Sequence, residues 1–133
     1  MEDGTISDGQ ISASSEIDLN HAATQARLQF QQTGIKQGSW VAGTVDTNQW
    51  LQIDLANYQT TVRLVATQGR NGGSQWVTSY NLQYSDNGVN FTYYGDQGQG
   101  RIKVEFREVP AMSIVNIKDY NKSKMGIKYT ICN

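Results

Sequence analysis

Residues 49–55 read QWLQIDL, and this stretch decides the fold. Its apolar side chains alternate with polar ones, so Leu51, Ile53 and Leu55 fall on one face of an extended chain. A two-residue period with one apolar face is typical of a β-strand that is buried on one side only. We therefore predict a strand here and place these three side chains in the core.

The same alternation recurs along most of the chain, always in short segments. The sequence SDNG at residues 85–88 predicts a tight turn, because Asn-Gly accepts the positive φ angles that such turns need. Residues 79–96 are therefore predicted to form a β-hairpin. Further predicted strands are residues 60–67, 101–106, 112–117 and 125–131. Many short strands without a long helical pattern indicate an all-β fold, most simply an antiparallel β-sandwich.

Composition and charge exclude several classes of protein. At 133 residues the chain has the size of one domain, and its formal net charge is −1. This balance lacks the concentrated basic surface that nucleic acid requires, so we expect no nucleic-acid partner. The sequence contains no apolar run of about 18 residues, so we predict no membrane-spanning helix. The first residues also lack the basic start and apolar segment of a signal peptide.

Three long polar segments separate the predicted strands, at residues 16–28, 31–49 and 69–76. Connections of this length are uncommon in compact domains unless they carry function. The first segment reads EIDLNHAATQARL and contains several good helix formers. The residues alone leave open whether it is a helix, a catalytic segment or a binding loop.

The side chains that catalysis would need are scarce. His21 is the only histidine, which leaves no second imidazole for a metal site and no ready nucleophile–base pair. Glu16 and Asp18 lie two residues apart in a loop, and this spacing fixes no separation between their carboxylates. Residues 69–74, GRNGGS, lack the GK[ST] ending of a phosphate-binding loop. We therefore predict that the chain is not an enzyme and has no catalytic residues.

Two motifs concern modification of the chain. The sequences NFT at Asn90 and NKS at Asn121 are acceptor sites for N-linked glycosylation. They matter only if the chain enters the secretory pathway. Cys132 is the only cysteine, so it is either a free thiol or half of a disulfide with a partner outside this sequence.

Several motifs occur together in one order along the chain. They are ISASS (11–15), ARL (26–28), GSW (38–40), QWLQIDL (49–55), ATQGR (66–70) and WVTSYNLQYSDNG (76–88). In this order and spacing they resemble the discoidin domain, also named the coagulation factor V/VIII C-type domain. The resemblance covers about residues 1–96, and the C-terminal third has no counterpart of the family's FxGNxD segment.

The resemblance implies a jelly-roll β-sandwich of roughly eight strands, displayed extracellularly, that binds ligands through loops at one end. We expect a single discoidin-like domain over residues 1–133, which either is clipped at its N-terminus or is a divergent or truncated member whose sequence departs from the family after about residue 96. The implied binding loops are residues 16–25, 34–47 and 70–76. Trp40 is expected chiefly to pack at the base of the second loop. The residues expected at the ligand site are Ile17, Asp18, Leu19, Asn20, His21, Trp40, Asp46, Arg70, Asn71, Gln75 and Trp76.

The residues in these loops favour one class of ligand. Collagen-binding and neuropilin-like relatives carry an aromatic residue just after the position of Glu16, where this chain has Ile17. Phospholipid-binding relatives expose apolar tips beside basic residues, whereas acids flank Ile17 and Leu19 here. Polar loops with tryptophan faces suit a sugar ring. We therefore expect a cell-surface glycan or glycoprotein as the partner, with protein–protein adhesion in a multidomain protein or an anionic phospholipid as alternatives.

No cofactor is expected from these residues, and no set of metal-ligating side chains is predicted. One structural calcium ion would be compatible with the loops, because backbone carbonyls and a loop aspartate can bind it. The sequence contains no calcium-loop motif.

Overall fold

The computed structural model describes residues 5–55, 60–62, 65–77, 80–94, 101–102, 112–114, 119–122 and 126–131. Short strands and single turns of 3₁₀ helix make up the regular structure of these residues. Nowhere in these ranges is there a helix with both the length and the apolar character needed to cross a membrane.

The elements follow one another in short segments. The strands are β1 (Ile11–Ala13), β2 (Trp50–Asp54), β3 (Thr60–Val62), β4 (Thr67–Gly69), β5 (Tyr80–Tyr84), β6 (Thr92–Tyr93), β7 (Arg101–Ile102), β8 (Met112–Ile114), β9 (Asp119–Lys122) and β10 (Gly126–Ile131). The 3₁₀ turns span Asp8–Gln10, Leu19–His21 and Ala23–Gln25.

The largest sheet has the strand order β1-β2-β10-β5-β6, with β7 also paired to β5. All of its pairs are antiparallel, and Ile11 of β1 pairs with Ile53 of β2. Two further antiparallel pairs, β3 with β9 and β4 with β8, lie outside this sheet. The strand predicted from QWLQIDL is β2, which lies between β1 and β10.

The core lies against one face of the large sheet. Leu51 and Ile53 are fully buried and Leu55 is nearly so, which confirms the face assigned by alternation. Residues from the loops complete this core, so burial of apolar surface also fixes where the loops begin and end. The core consists of Ile6, Ile11, Ala23, Ala26, Trp40, Leu51, Ile53, Leu55, Tyr80 and Leu82.

A hydrogen bond between Tyr80 and Thr67 connects two of the sheets. Tyr80 belongs to β5 of the large sheet, and Thr67 begins β4, which pairs with β8. Burial raises the pKa of the Tyr80 phenol, because the charged form would have to leave water. The neutral hydroxyl therefore joins the β4–β8 pair to the large sheet.

The strand predicted over residues 60–67 is wrong in its extent. β3 ends at Val62, residues 65–66 are irregular, and β4 begins at Thr67. The two strands have different partners, β9 and β8, so the chain changes pairing within one apolar segment. Val65 nevertheless packs against the core. Residues 63–64 lie outside the described part of the chain.

The predicted hairpin is present and Gly88 has the positive φ expected of Asn-Gly, but the connection is longer than the predicted tight turn. Tyr84 pairs with Thr92, so residues 85–91 connect β5 and β6. Side-chain oxygens of Ser85 and Asn87 accept amide hydrogens within the turn and keep the chain bent over a longer stretch. Residues 95–96 of the predicted returning strand lie outside the described residues.

The strands predicted near the C-terminus are confirmed where the structure describes them. β8 lies within the predicted segment 112–117, and β10 coincides with 125–131 except for its first residue. β10 lies between β2 and β5 in the middle of the large sheet. Of the predicted strand 101–106, only β7 at residues 101–102 is described.

Candidate functional site

Three loops gather at one end of the large sheet. They are the first loop (16–25), the second loop (34–47) and the third loop (70–76). The first loop follows β1 and the second precedes β2 at the same end, because Ala13 pairs with Leu51. β5 begins at the same end, because Thr130 of β10 pairs with Trp50 at the start of β2 and with Asn81 near the start of β5. We name this side of the molecule the loop end.

The first loop forms two separate 3₁₀ turns, so the helix considered from its sequence does not form. Asp18 caps the first turn, since its Oδ1 accepts the amide of Asn20 at 2.8 Å and lies 2.7 Å from Nδ1 of His21. Glu16 caps the second turn, since its Oε1 accepts the amide of Ala23 at 2.6 Å. Both acids thereby order the loop.

Hydrogen bonding favours the ionised form of the Asp18 carboxylate. The hydrogen bond with His21 lowers the pKa of Asp18, and the amide of Asn20 lowers it further. The carboxylate is therefore ionised at neutral pH and faces the imidazole. The side chain of His21 is 15% exposed, compared with 48% for Asp18.

Backbone hydrogen bonds join the first loop to the second. The amide of Ile17 donates to the carbonyl of Val41 at 3.0 Å, and the amide of Val41 donates to the carbonyl of His21 at 3.2 Å. Farther along, the amide of Gln37 donates to the carbonyl of Asn20 at 2.8 Å. The two loops therefore form one continuous surface that does not depend on side-chain identity at these positions.

Trp40 lies in the core and not at a ligand surface. It is 4% exposed, and its indole Nε1 donates to the carbonyl of Ser15 at 2.9 Å. The expectation that it lines the ligand site is therefore wrong, and the alternative of packing at the loop base is confirmed. Burial removes the apolar ring from water, and the hydrogen bond to Ser15 satisfies its single N–H donor.

Asp46 accepts hydrogen bonds from the residues that connect the second loop to β2. Its Oδ1 accepts the amide of Asn48 at 2.7 Å and Nε2 of Gln49 at 2.9 Å. The Gln49 hydrogen bond, followed by that of Asn48, lowers the pKa of Asp46. Asp46 therefore supports the junction of the second loop with β2.

Arg70 joins the third loop to the second. Its Nη2 donates to Oε1 of Gln37 at 3.1 Å, and its Nη1 donates to Oε1 of Gln75. The backbone amide of Arg70 also donates to the carbonyl of Gln75 at 3.1 Å. Among the described residues no carboxylate pairs with this guanidinium, and its buried Nε has no partner. Arg70 thus carries a positive charge among neutral amides.

Asn71 strengthens the same connection between loops. Its backbone forms an isolated bridge with Gly38, and its Nδ2 donates to Oε1 of Gln31 at 3.0 Å. A Cβ added to Gly38 would lie 2.5 Å from Cβ of Asn71, so this close approach requires glycine. Asn71 is partly buried and holds the third loop against the second.

Five large apolar side chains protrude from the loops into solvent. Their exposed fractions are 57% for Ile17, 85% for Leu19, 76% for Ile35, 90% for Val45 and 52% for Trp76. Single exposed apolar residues are ordinary on a protein surface, but every loop here carries at least one. The loop end therefore combines apolar tips with a polar centre at Arg70.

Sequence reasoning missed three residues of this surface, namely Ile35, Gln37 and Val45. The two apolar residues lie in polar segments without alternation, and that absence of a period is a signal that they are not directed into a core. No pattern marks Gln37, because its role depends on a contact with Arg70, 33 positions away.

The predicted residues thus divide between two positions. Arg70, Gln75 and the backbone of Asn20 meet through Gln37, while Trp40 and Asp46 lie at the bases of the loops. Among the described residues no three His, Cys, Asp or Glu side chains are grouped as a metal site. Calcium binding through backbone carbonyls stays a prediction.

Solved structures with similar folds confirm the architecture. The wild-type discoidin II from Dictyostelium discoideum aligns with a TM-score of 0.71 and 23% identity, over 92% of this chain and 49% of that one. A chitosan-binding module of a chitosanase/glucanase from Paenibacillus sp. IK-5 aligns with a TM-score of 0.51 and 16% identity, over 91% of this chain and 80% of that one. The chain therefore has the jelly-roll β-sandwich fold predicted from its sequence.

Sequence comparison gives the family. Retinoschisin from Takifugu rubripes is 37% identical over 109 residues, which are 77% of this chain and 38% of that protein. The chain thus spans well under half the length of this curated relative. The model of the F5/8 type C domain matches residues 10–120. Because this match covers most of the chain, the protein belongs to the F5/8 type C, or discoidin, domain family.

Proposed function

We propose that this chain is a non-catalytic, extracellular recognition module that binds a cell-surface glycan, free or on a glycoprotein, through its loop end. Membership of the F5/8 type C family and the likeness to a chitosan-binding module support a binding role. The extracellular location is part of the proposal.

One observation carries the choice of ligand. Arg70 is held between the side-chain amides of Gln37 and Gln75, and Gln75 immediately precedes the half-exposed Trp76 in the sequence. A guanidinium donates hydrogen bonds and an amide both donates and accepts them, as sugar hydroxyls require, and an indole face packs against the apolar face of a sugar ring. The unpaired charge of Arg70 within the described structure also suits a carboxylate or sulfate on the sugar.

Trp76→Ala tests this arrangement. Loss of a stacking face worth about 1.4 kcal/mol weakens binding about tenfold, so we expect that loss on a glycan array and in titration with the best sugar. Tyr94→Ala is the matched control, because Tyr94 is 50% exposed but lies on the β5–β6 hairpin. Failure of the wild-type chain to bind any sugar, or equal binding by Trp76→Ala, would contradict the proposal.

The apolar tips favour a second candidate, contact with an anionic phospholipid surface. Leu19 and Val45 are the most exposed of these side chains, and they could enter the headgroup region of a bilayer. Such tips also suit the apolar patch of a protein partner. Co-sedimentation with liposomes containing and lacking phosphatidylserine tests the lipid candidate.

The double variant Leu19→Ser, Val45→Ser should abolish any sedimentation with liposomes. Val89→Ser is the matched control, because Val89 is 78% exposed on the hairpin. If the wild-type chain co-sediments with neither kind of liposome, the lipid candidate is excluded.

A further inference from the structure

The hairpin between β5 and β6 lies at the end of the large sheet opposite the loops. Lys128 of β10 pairs with Gln83, near the last residue of β5, whereas Thr130 pairs with Asn81 near its start. The turn 85–91 therefore projects away from the loop end. We name it the hairpin end.

The hairpin end carries its own group of exposed apolar side chains. Val89 is 78% exposed, Tyr94 is 50% exposed and Tyr93 is 42% exposed. We name these three residues the hairpin patch. Tyr93 belongs to β6, a two-residue strand at the edge of the described sheet. Exposed apolar side chains that lie close together on a surface are an aggregation liability unless something covers them.

The acceptor sequence Asn90-Phe91-Thr92 lies within this patch. Asn90 and Thr92 are both exposed, so the acceptor amide and the hydroxyl two residues later are both at the surface. The backbone amide of Asn90 donates to Oδ1 of Asn87 at 2.9 Å, which holds the residue in the turn. Among the described residues the side chain of Asn90 has no hydrogen-bonding role in the fold.

We infer that Asn90 is a site of N-linked glycosylation and that its glycan covers the hairpin patch. The donor is an oligosaccharide on a lipid diphosphate. Nδ2 of Asn90 forms a bond to C1 of the first sugar while the bond from C1 to the diphosphate oxygen breaks. The lipid diphosphate leaves with the electron pair, and the amide proton passes to the transferase's base. A bulky, hydrophilic glycan is tolerated only at a surface position such as this one.

The position of Asn90 separates modification from recognition. The glycan would project from the hairpin end and leave the loop end open to its ligand. This inference rests on the extracellular location proposed above, because the transfer occurs in the secretory pathway. The second acceptor residue, Asn121, lies in β9, whose backbone pairs with β3.

The test is secretion of the full chain from human cells behind a cleavable signal peptide. The chain carries Asn121→Gln, so that only Asn90 is measured, and a tag with a known acceptor sequence. We expect a glycosidase-sensitive mass shift at Asn90 that is lost in Asn90→Gln and Thr92→Ala and retained in Thr92→Ser. An occupied tag with an empty Asn90 would overturn the inference.

Two further measurements follow on the same secreted protein. Enzymatic removal of the glycan should increase light scattering on concentration, and Val89→Ser with Tyr94→Ser should suppress that increase. Equal scattering before and after removal would overturn the covering role. Sugar binding at the loop end should be unchanged by glycan removal. An occupied Asn90 with no sugar binding would support the modification and refute the proposed function, so the two failures are distinguishable.

Discussion

Gln49 is the residue on which the base of the loop end depends. It is 6% exposed, and its Oε1 accepts the hydroxyls of Ser14 at 2.7 Å and Ser15 at 2.5 Å. Its Nε2 donates to Oδ1 of Asp46. One buried amide thus joins the start of the first loop to the end of the second.

Gln49→Ala should destabilise the fold by about 1–3 kcal/mol, because the substitution removes the hydrogen bonds of this buried amide to Ser14, Ser15 and Asp46. Urea unfolding followed by tryptophan fluorescence measures this change. Gln52→Ala is the control, since Gln52 lies on the opposite face of β2 and is partly exposed. Equal midpoints for Gln49→Ala and the wild type would show that the network contributes nothing.

Because of Tyr80, the stability of the fold should depend on pH in the alkaline range. Burial raises the pKa of its phenol above the ordinary value of about 10, so the unfolded chain loses this proton more readily than the folded chain. The stabilisation is complete below that pH and is lost as pH rises through the folded pKa.

Tyr80→Phe should therefore cost about 1 kcal/mol at neutral pH, through the lost hydrogen bond to Thr67, but decline less steeply above pH 10. Urea midpoints at neutral and alkaline pH measure both effects. Tyr94→Phe, at an exposed ring, should reproduce the wild-type curve. A parallel decline in wild type and Tyr80→Phe would remove Tyr80 as the cause.

At single positions the sequence predicted burial better than hydrogen bonding. Alternation placed Leu51 and Ile53 correctly, because each side chain's face follows from its own position in the strand. Gln49 and Gln37 were not predictable in their roles. Their partners lie more than 30 positions away in the sequence, at Ser14, Ser15 and Arg70, and only the fold brings them together.

Among the elements, the β5–β6 hairpin shows how local chemistry sets a turn. Ser85 Oγ accepts the amide of Gly88 at 2.9 Å, and Gly88 has a φ of 72°. A residue with a Cβ is strained in this left-handed conformation. Open space surrounds the position of the missing Cβ, so backbone strain alone determines the effect of a substitution.

Gly88→Ala should therefore cost roughly 1 kcal/mol, and Gly88→Asn should cost less, because asparagine tolerates this region. Thermal unfolding measures both. Gly9→Ala is the matched control, since Gly9 also has open space around it but no positive φ. If all three variants have the same melting temperature, the conformation of Gly88 does not contribute to the stability of the fold.

The strand β10 shows what an element's sequence cannot reveal. GIKYTI predicted a strand by its composition, and the structure has one at Gly126–Ile131. Its central place between β2 and β5 was not predictable, because pairing partners are chosen by the whole topology. The prediction for segment 60–67 failed for the same reason, since the segment contains β3 and the first residue of β4, and these strands have different partners.

On the scale of the whole molecule, the loop end and the hairpin end lie at opposite ends of the large sheet. The order of the sequence motifs predicted the fold. The length of the three polar segments located the loops, because connections this long are uncommon unless they carry function. It did not identify Ile35 and Val45 as surface residues of the loop end, because their exposure depends on the path of the folded second loop. The large sheet keeps this surface apart from the acceptor sequence at Asn90.

The order of the loop end should depend on acid pH. Hydrogen bonds lower the pKa of Asp18 and of Asp46, both of which order the loop end. A lowered folded pKa means that the ionised carboxylate stabilises the native loops. This contribution is present above the ordinary carboxyl pKa of about 4 and is lost as pH falls through the folded value.

We therefore expect the amide signals of Asn20 and Asn48, which donate to these carboxylates, to shift together below about pH 4 in an NMR titration. Sugar binding should be lost over the same interval. The amides of Leu51 and Ile53 in β2 should remain in place, because the sheet does not use these acids. In Asp18→Asn with Asp46→Asn the shifts should disappear, since no carboxylate remains at either cap. Titration of the wild-type signals at or above the ordinary carboxyl pKa would instead show that neither hydrogen bond stabilises the ionised form, and the loop end would then be ordered by its backbone contacts alone.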